Sequence, residues 1–287
     1  MNAEQQPNIS LKSKPYPSTL LEAILIALIF IMASVVSLPV LFAFALIPIP
    51  QIQSLSFFFY YASMASITAI LVYLLKKNSE RETFLLPKLH FKEGVLALLL
   101  VLMTITLQQG FILPLTNLIP VPDFLLRFLS YGAQAQTIGN ILAIVVLAPI
   151  FEEYIFRGML LDGLLKSHSP WKAIVLSAFL FAFVHLNPWQ FVSAFTLGIF
   201  IGWIYYRTKN LALCILIHFI NNAFAIFCNH FYNYLPWKES SGSTLHMIYV
   251  IMMLIVTVLL FFLVKERLSN QHEEEIELED QEEELSL

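Results

Sequence analysis

The sequence predicts an all-α, polytopic membrane protein of about eight transmembrane helices, and three observations carry that expectation. Of the 287 residues, 58% are hydrophobic and only 13% charged, with a mean hydropathy of +0.75, whereas soluble domains are about 25% charged. The apolar residues gather into eight runs, most of them near the roughly 20 residues that a helix needs to cross a hydrocarbon core of ~30 Å. Lysine and arginine recur in alternate connections, the asymmetry that marks cytoplasmic loops.

Taken in order, residues 1–18 read as a cytoplasmic segment, and 19–136 hold three spans, 20–46, 54–75 and 93–112, followed by an outer loop. The first span contains Ala43-Phe44-Ala45, which resembles a signal cleavage site. Its apolar run of about 26 residues exceeds the roughly 7–15 of a signal sequence, so an uncleaved anchor is expected. The outer loop, 113–136, carries Pro114, Pro120 and Pro122, and its FLLRFL reads as a short amphipathic helix at the interface. Residues 137–230 hold four spans, 137–165, 171–187, 190–207 and 211–230; 231–264 hold a last loop and the span 246–264. The end, 265–287, has nine acidic residues between Glu273 and Glu284 and reads as a solvated, disordered cytoplasmic tail. Cys214 and Cys228 fall in one helical run, about 21 Å apart at 1.5 Å per residue, and cannot bridge within it.

Eight spans put both termini on one side. If that side is cytoplasmic, thirteen of the sixteen basic residues lie inside: Lys12 and Lys14, the group from Lys76 to Lys92, Lys166 and Lys172, Arg207 and Lys209, and Lys265 and Arg267. Only Arg127 and Lys238 lie outside, and Arg157 is intramembrane. The expected location is a bacterial plasma membrane with both termini cytoplasmic. The expected partners are the bilayer and a membrane-associated protein or peptide, with no nucleic acid.

Charged side chains at membrane depth are costly and normally face a protein interior or a wet cavity, so they are candidates for function. Three helices carry them here: Glu152, Glu153 and Arg157 on the fourth span, His185 on the fifth, and His218, Asn221 and Asn222 on the seventh. Glu153 and Arg157 stand at i,i+4 in the favourable order for an ion pair, which leaves Glu152, about 100° around the helix, as the spare carboxylate. Pro149 lacks an amide proton and is expected to free the carbonyl of Val145 and kink the helix before the acids. Counted inward from Lys166, Lys172 and Lys209 at 1.5 Å per residue, Glu152, His185 and Asn222 all lie about 20 Å deep, with His218 about 14 Å. One carboxylate, one imidazole and an amide at one depth, with a second imidazole a turn nearer the cytoplasm, suit activation of a water molecule and stabilisation of an oxyanion.

These residues carry a resemblance. EEYIFRG at 152–158 resembles the EExxxR(G) motif of the CPBP (Abi) intramembrane proteases, which include the type II CAAX prenyl endopeptidases; FAFVH at 181–185 resembles their FxxxH motif, and HFINN at 218–222 their HxxxN motif. The resemblance covers about 137–222 and implies a four-helix catalytic core. It implies an intramembrane endopeptidase acting on a membrane-associated protein or peptide, with prenylated CAAX-like proteins as one substrate class and membrane-anchored peptides, bacteriocin precursors or regulatory membrane proteins as others. Glu152 and His185 would activate water, His218 and Asn222 would stabilise the oxyanion, and Glu153 and Arg157 would support them. The same family was first described as metalloproteases, so a divalent metal such as zinc on Glu152, His185 and His218 stands beside a metal-free glutamate mechanism; asparagine is an uncommon zinc ligand. Two other readings remain at this stage. Intramembrane Glu, His and Arg also build the proton relays of transporters, although no internal repeat accompanies them here, and a non-catalytic scaffold could bind a partner's helix.

Overall fold

A computed structural model describes residues 16–75, 91–108, 120, 137–231, 248, 251–252, 254–260 and 262–263. All regular structure among the described residues is helical. In chain order the helices are α1 (Leu20–Ala45), α2 (Pro50–Gln53), α3 (Ser56–Leu75), α4 (Phe91–Leu107), α5 (Ile138–Leu165), α6 (Pro170–Phe183), α7 (Pro188–Thr208) and α8 (Leu211–Phe231). The described residues of 248–263 are helical as well. The outer loop apart from Pro120, the amphipathic FLLRFL, the segment 1–15 and the acidic tail lie outside the described residues.

Three helices, α1, α3 and α5, are long and apolar enough to cross a membrane, and 98–107, 170–183 and 211–227 are shorter apolar stretches. Large apolar side chains such as Leu21, Met32, Val36 and Phe42 on α1 are more than half exposed. A surface of that kind fits an integral membrane protein rather than one surrounded by water.

Local chemistry sets the helix ends. Thr19 and Glu22 form a reciprocal capping box at the start of α1, with Glu22 N–H donating to Thr19 Oγ1 and Thr19 N–H donating to Glu22 Oε2. The fifth span departs from expectation. It was expected to run to 187, but α6 ends at Phe183, leaving His185 in a tight turn beyond the helix. Leu186 is left-handed there, at φ 50°, and Asn187 caps α7 by accepting from the amides of Trp189 and Gln190. The physical reason is Pro188, which disfavours helical backbone in the residue before it and starts the next helix at its first turn. With 14 residues, α6 is about 21 Å long.

α6 and α7 return on each other at close range. A Cβ on Gly198 would stand 3.0 Å from Ala178 Cβ and 3.3 Å from Phe181 Cδ1, so only glycine lets the two backbones approach this closely. At the other end of this hairpin, Asp162 of α5 accepts from Lys209 at 2.8 Å and pairs with Lys166 at 3.5 Å. Lys166 and Lys209, both assigned to inner loops from sequence, thus meet at one end of the bundle. Phe156 fills the centre, edge-on to Phe30 of α1 and Phe181 of α6.

Gly198→Leu is expected to force α6 and α7 apart at a cost of about 1–3 kcal/mol, read as a lower Tm of the detergent-solubilised protein. Gly202→Ala, where the nearest atom is the flexible Ile174 Cγ2 at 3.3 Å, is expected to melt close to wild type.

Candidate active site

The site is built on α5, whose hydrogen-bond ladder widens twice. Residues Leu142–Leu147 and Tyr154–Leu161 are π-helical, and the intervening turn Ala148–Glu153 is α-helical. Such widened turns are rare and are frequent at functional sites. They also correct the expectation about Pro149. In the π register Ala148 N–H donates to Ala143 O, five residues back, so the carbonyl that Pro149 cannot serve is that of Ile144 rather than Val145. Asn222 of α8 supplies the missing donor, its Nδ2 reaching Ile144 O at 2.9 Å. The disruption is therefore a widened, side-chain-capped turn within a continuous helix.

The ion pair expected at i,i+4 is present. Arg157 and Glu153 are both 0% exposed, with NH1 donating to Oε1 at 2.9 Å. NH2 of Arg157 donates to Gly198 O at 3.1 Å, and its guanidinium lies over the Phe181 ring, 4.5 Å from the centroid. Glu153 Oε1 also accepts from His218 Nδ1 at 2.7 Å. A carboxylate only accepts, so the ring proton is on Nδ1 and Nε2 points away from Glu153. His218 Nε2 faces Glu152 Oε2 at 3.9 Å, longer than a hydrogen bond.

Glu152, the spare carboxylate of the sequence, is 7% exposed and has a partner that sequence reasoning missed. The hydroxyl of Tyr61, on α3, donates to Glu152 Oε1 at 2.6 Å. The available signal was weak: a tyrosine in an apolar helix needs a partner for its hydroxyl, but the chain has eleven tyrosines.

His185 is half-buried and fixed by its own helix end. Its Nδ1 bonds the carbonyl of Phe181 at 2.8 Å, so Nδ1 is again the protonated nitrogen and Nε2 carries the lone pair. The imidazole in ion-pair range of Glu152 is that of His218, not His185. Phe181 links the two, because both imidazoles meet its ring edge-to-face, with centroids 5.2 Å and 5.8 Å away. Asn221 is 7% exposed and donates from Nδ2 to Asn222 Oδ1 at 3.4 Å. Among the described residues no group of three His, Cys, Asp or Glu stands together so as to hold a metal ion.

Residues 134–224 match the family model described as Rce1-like, type II CAAX prenyl endopeptidase. The matched segment contains Glu152, Glu153, Arg157, His185, His218 and Asn222, but not Tyr61. No curated protein and no solved structure matches the chain.

Arg157→Met removes the cationic partner of the buried Glu153 and is expected to cost about 3–5 kcal/mol in reversible unfolding from detergent micelles. Asn222→Ala is expected to cost about 1–3 kcal/mol by orphaning Ile144 O. In a Pro149→Ala background a backbone amide can serve that carbonyl, so the same substitution should cost measurably less.

Proposed function

We propose, from the premise that this chain belongs through residues 134–224 to the CPBP family of Rce1-like type II CAAX prenyl endopeptidases, that it is a membrane endopeptidase in which Glu152 is the general base. Its substrate is a membrane-associated protein or peptide, with the prenylated CAAX-like class as the leading candidate. The observation that carries this reading is the arrangement around Glu152. One carboxylate oxygen is held by Tyr61 and the other faces an imidazole that a second carboxylate orients. Eight spans, with both termini on the cytoplasmic side of a bacterial plasma membrane, belong to the same proposal and rest on the distribution of lysine and arginine.

In the hydrolysis, Glu152 takes a proton from water as the water oxygen attacks the scissile carbonyl carbon. The carbonyl oxygen becomes an oxyanion. Two donors are candidates to receive it. Asn222 Nδ2 has a second proton beyond the one given to Ile144 O. His218 can donate from Nε2 when its ring carries both protons. His185 differs because its Nδ1 partner is a neutral carbonyl, so its Nε2 lone pair suits it to receive and return a proton. Collapse of the intermediate breaks the C–N bond, and the proton held by Glu152 or His185 passes to the departing amine. Glu153 and Arg157 act on the reaction only through His218.

The test is to incubate liposomes of the wild type and of Glu152→Ala with a membrane proteome and identify new peptide termini by mass spectrometry. Termini made by the wild type should form about 10²–10⁴-fold more slowly with Glu152→Ala, the usual contribution of a general base. Matching terminus profiles from two folded proteins would sink the protease reading.

A further inference from the structure

Glu152 is gripped from outside the matched segment. Tyr61 lies on α3, more than seventy residues before residue 134, and is only 8% exposed. Its 2.6 Å bond to Glu152 Oε1 has the length of a charge-assisted O–H···O⁻ contact. A phenol offers one proton and a carboxylate offers none, so the direction of this bond is fixed. Its neighbour Tyr60 packs against Phe57 instead, with ring centroids 5.5 Å apart.

The terminal torsion of a glutamate is broad and nearly two-fold, so an untethered carboxylate exchanges its two oxygens freely. Glu152 is not untethered. With Oε1 bound to Tyr61, the oxygen left facing His218 Nε2 is Oε2, at 3.9 Å. A base must meet its proton within about 2.6–3.2 Å and in line, and a carboxylate that turns freely spends part of its time misaligned.

We propose that Tyr61 is a positioning residue for Glu152, holding Oε1 so that Oε2 is the oxygen presented to the attacking water. The site is then completed by α3, and the segment 134–224 does not contain all of it. This inference rests on the hydrolytic reading above.

The experiment uses the full chain in liposomes, with a farnesylated, internally quenched CAAX peptide as probe. Tyr61→Phe keeps the ring and its packing but removes the donor. It is expected to lower kcat about 10–100-fold with KM within about two-fold of wild type, the pattern of lost alignment rather than lost binding. p-Aminophenylalanine at position 61 restores an N–H donor at the same place and should recover most of the rate, while Tyr60→Phe should turn over like wild type. Tyr61→Phe with wild-type kcat, an effect confined to KM, or no recovery with the amino analogue would each overturn the proposal.

A second readout is independent of activity. Tyr61→Phe is expected to lower Tm by roughly 2–4 °C in the wild-type background and not in a Glu152→Leu background. Equal shifts in both backgrounds would overturn the Tyr61 assignment even if the peptide is not cleaved. Glu152→Ala cleaving the peptide at the wild-type rate would instead sink the hydrolytic reading and leave the melting cycle to decide the role of Tyr61.

Discussion

The carboxylate of Glu153, with no solvent exposure, is the constraint on which the rest of the site depends. A buried charge of this kind persists only when it is paired and hydrogen-bonded. Oε1 accepts from Arg157 and from His218, and each donor is committed elsewhere. Arg157 also reaches the carbonyl of Gly198 and lies over Phe181, which joins α5 to α7 and α6. His218 brings in α8. One oxygen atom therefore ties four helices together, and the absence of a side chain at Gly198 is what allows α7 close enough to offer its carbonyl.

Phe181 explains why an aromatic residue and a histidine four residues apart act as one unit. Its ring takes the guanidinium on its face and two imidazole rings at its edge, while its carbonyl fixes the tautomer of His185. The surroundings of these groups are unequal. Glu153 and Arg157 are sealed, whereas His185 and Asn222 are half-buried, so the polar network opens on the side of those two residues. Exposed Phe183 and Leu186 flank His185 there. Ionised groups thus stand inside the bundle and apolar ones outside, the reverse of a water-soluble enzyme and the arrangement that a bilayer requires.

Much of this was legible in the sequence because it depends on local periodicity. The Glu153–Arg157 pair follows from i,i+4 spacing, and the long apolar helices α1, α3 and α5 follow from composition. The remainder depends on register or on distant contacts. Nothing at Pro149 announces that the turn before it is π-helical, and the difference moves the orphaned carbonyl by one residue, from Val145 to Ile144. Asn222 read only as an oxyanion donor, because its second partner is a carbonyl on another helix. Pro188 did signal the end of α6, but the apolar run through Val184 and Leu186 masked it. Tyr61 was hidden among other aromatic residues, since its acceptor lies 91 positions away.

Glu153 orients His218 through Nδ1. Nitrogen NMR of the full chain carrying isotope-labelled histidine, with the His218 signals assigned by their loss in His218→Gln, tests it most directly. The expected spectrum has a proton-bearing Nδ1 on His218, hydrogen-bonded to a carboxylate and shifted when Glu153 is replaced by glutamine. An Nδ1 with the signature of a bare lone pair, or one indifferent to that replacement, would contradict it.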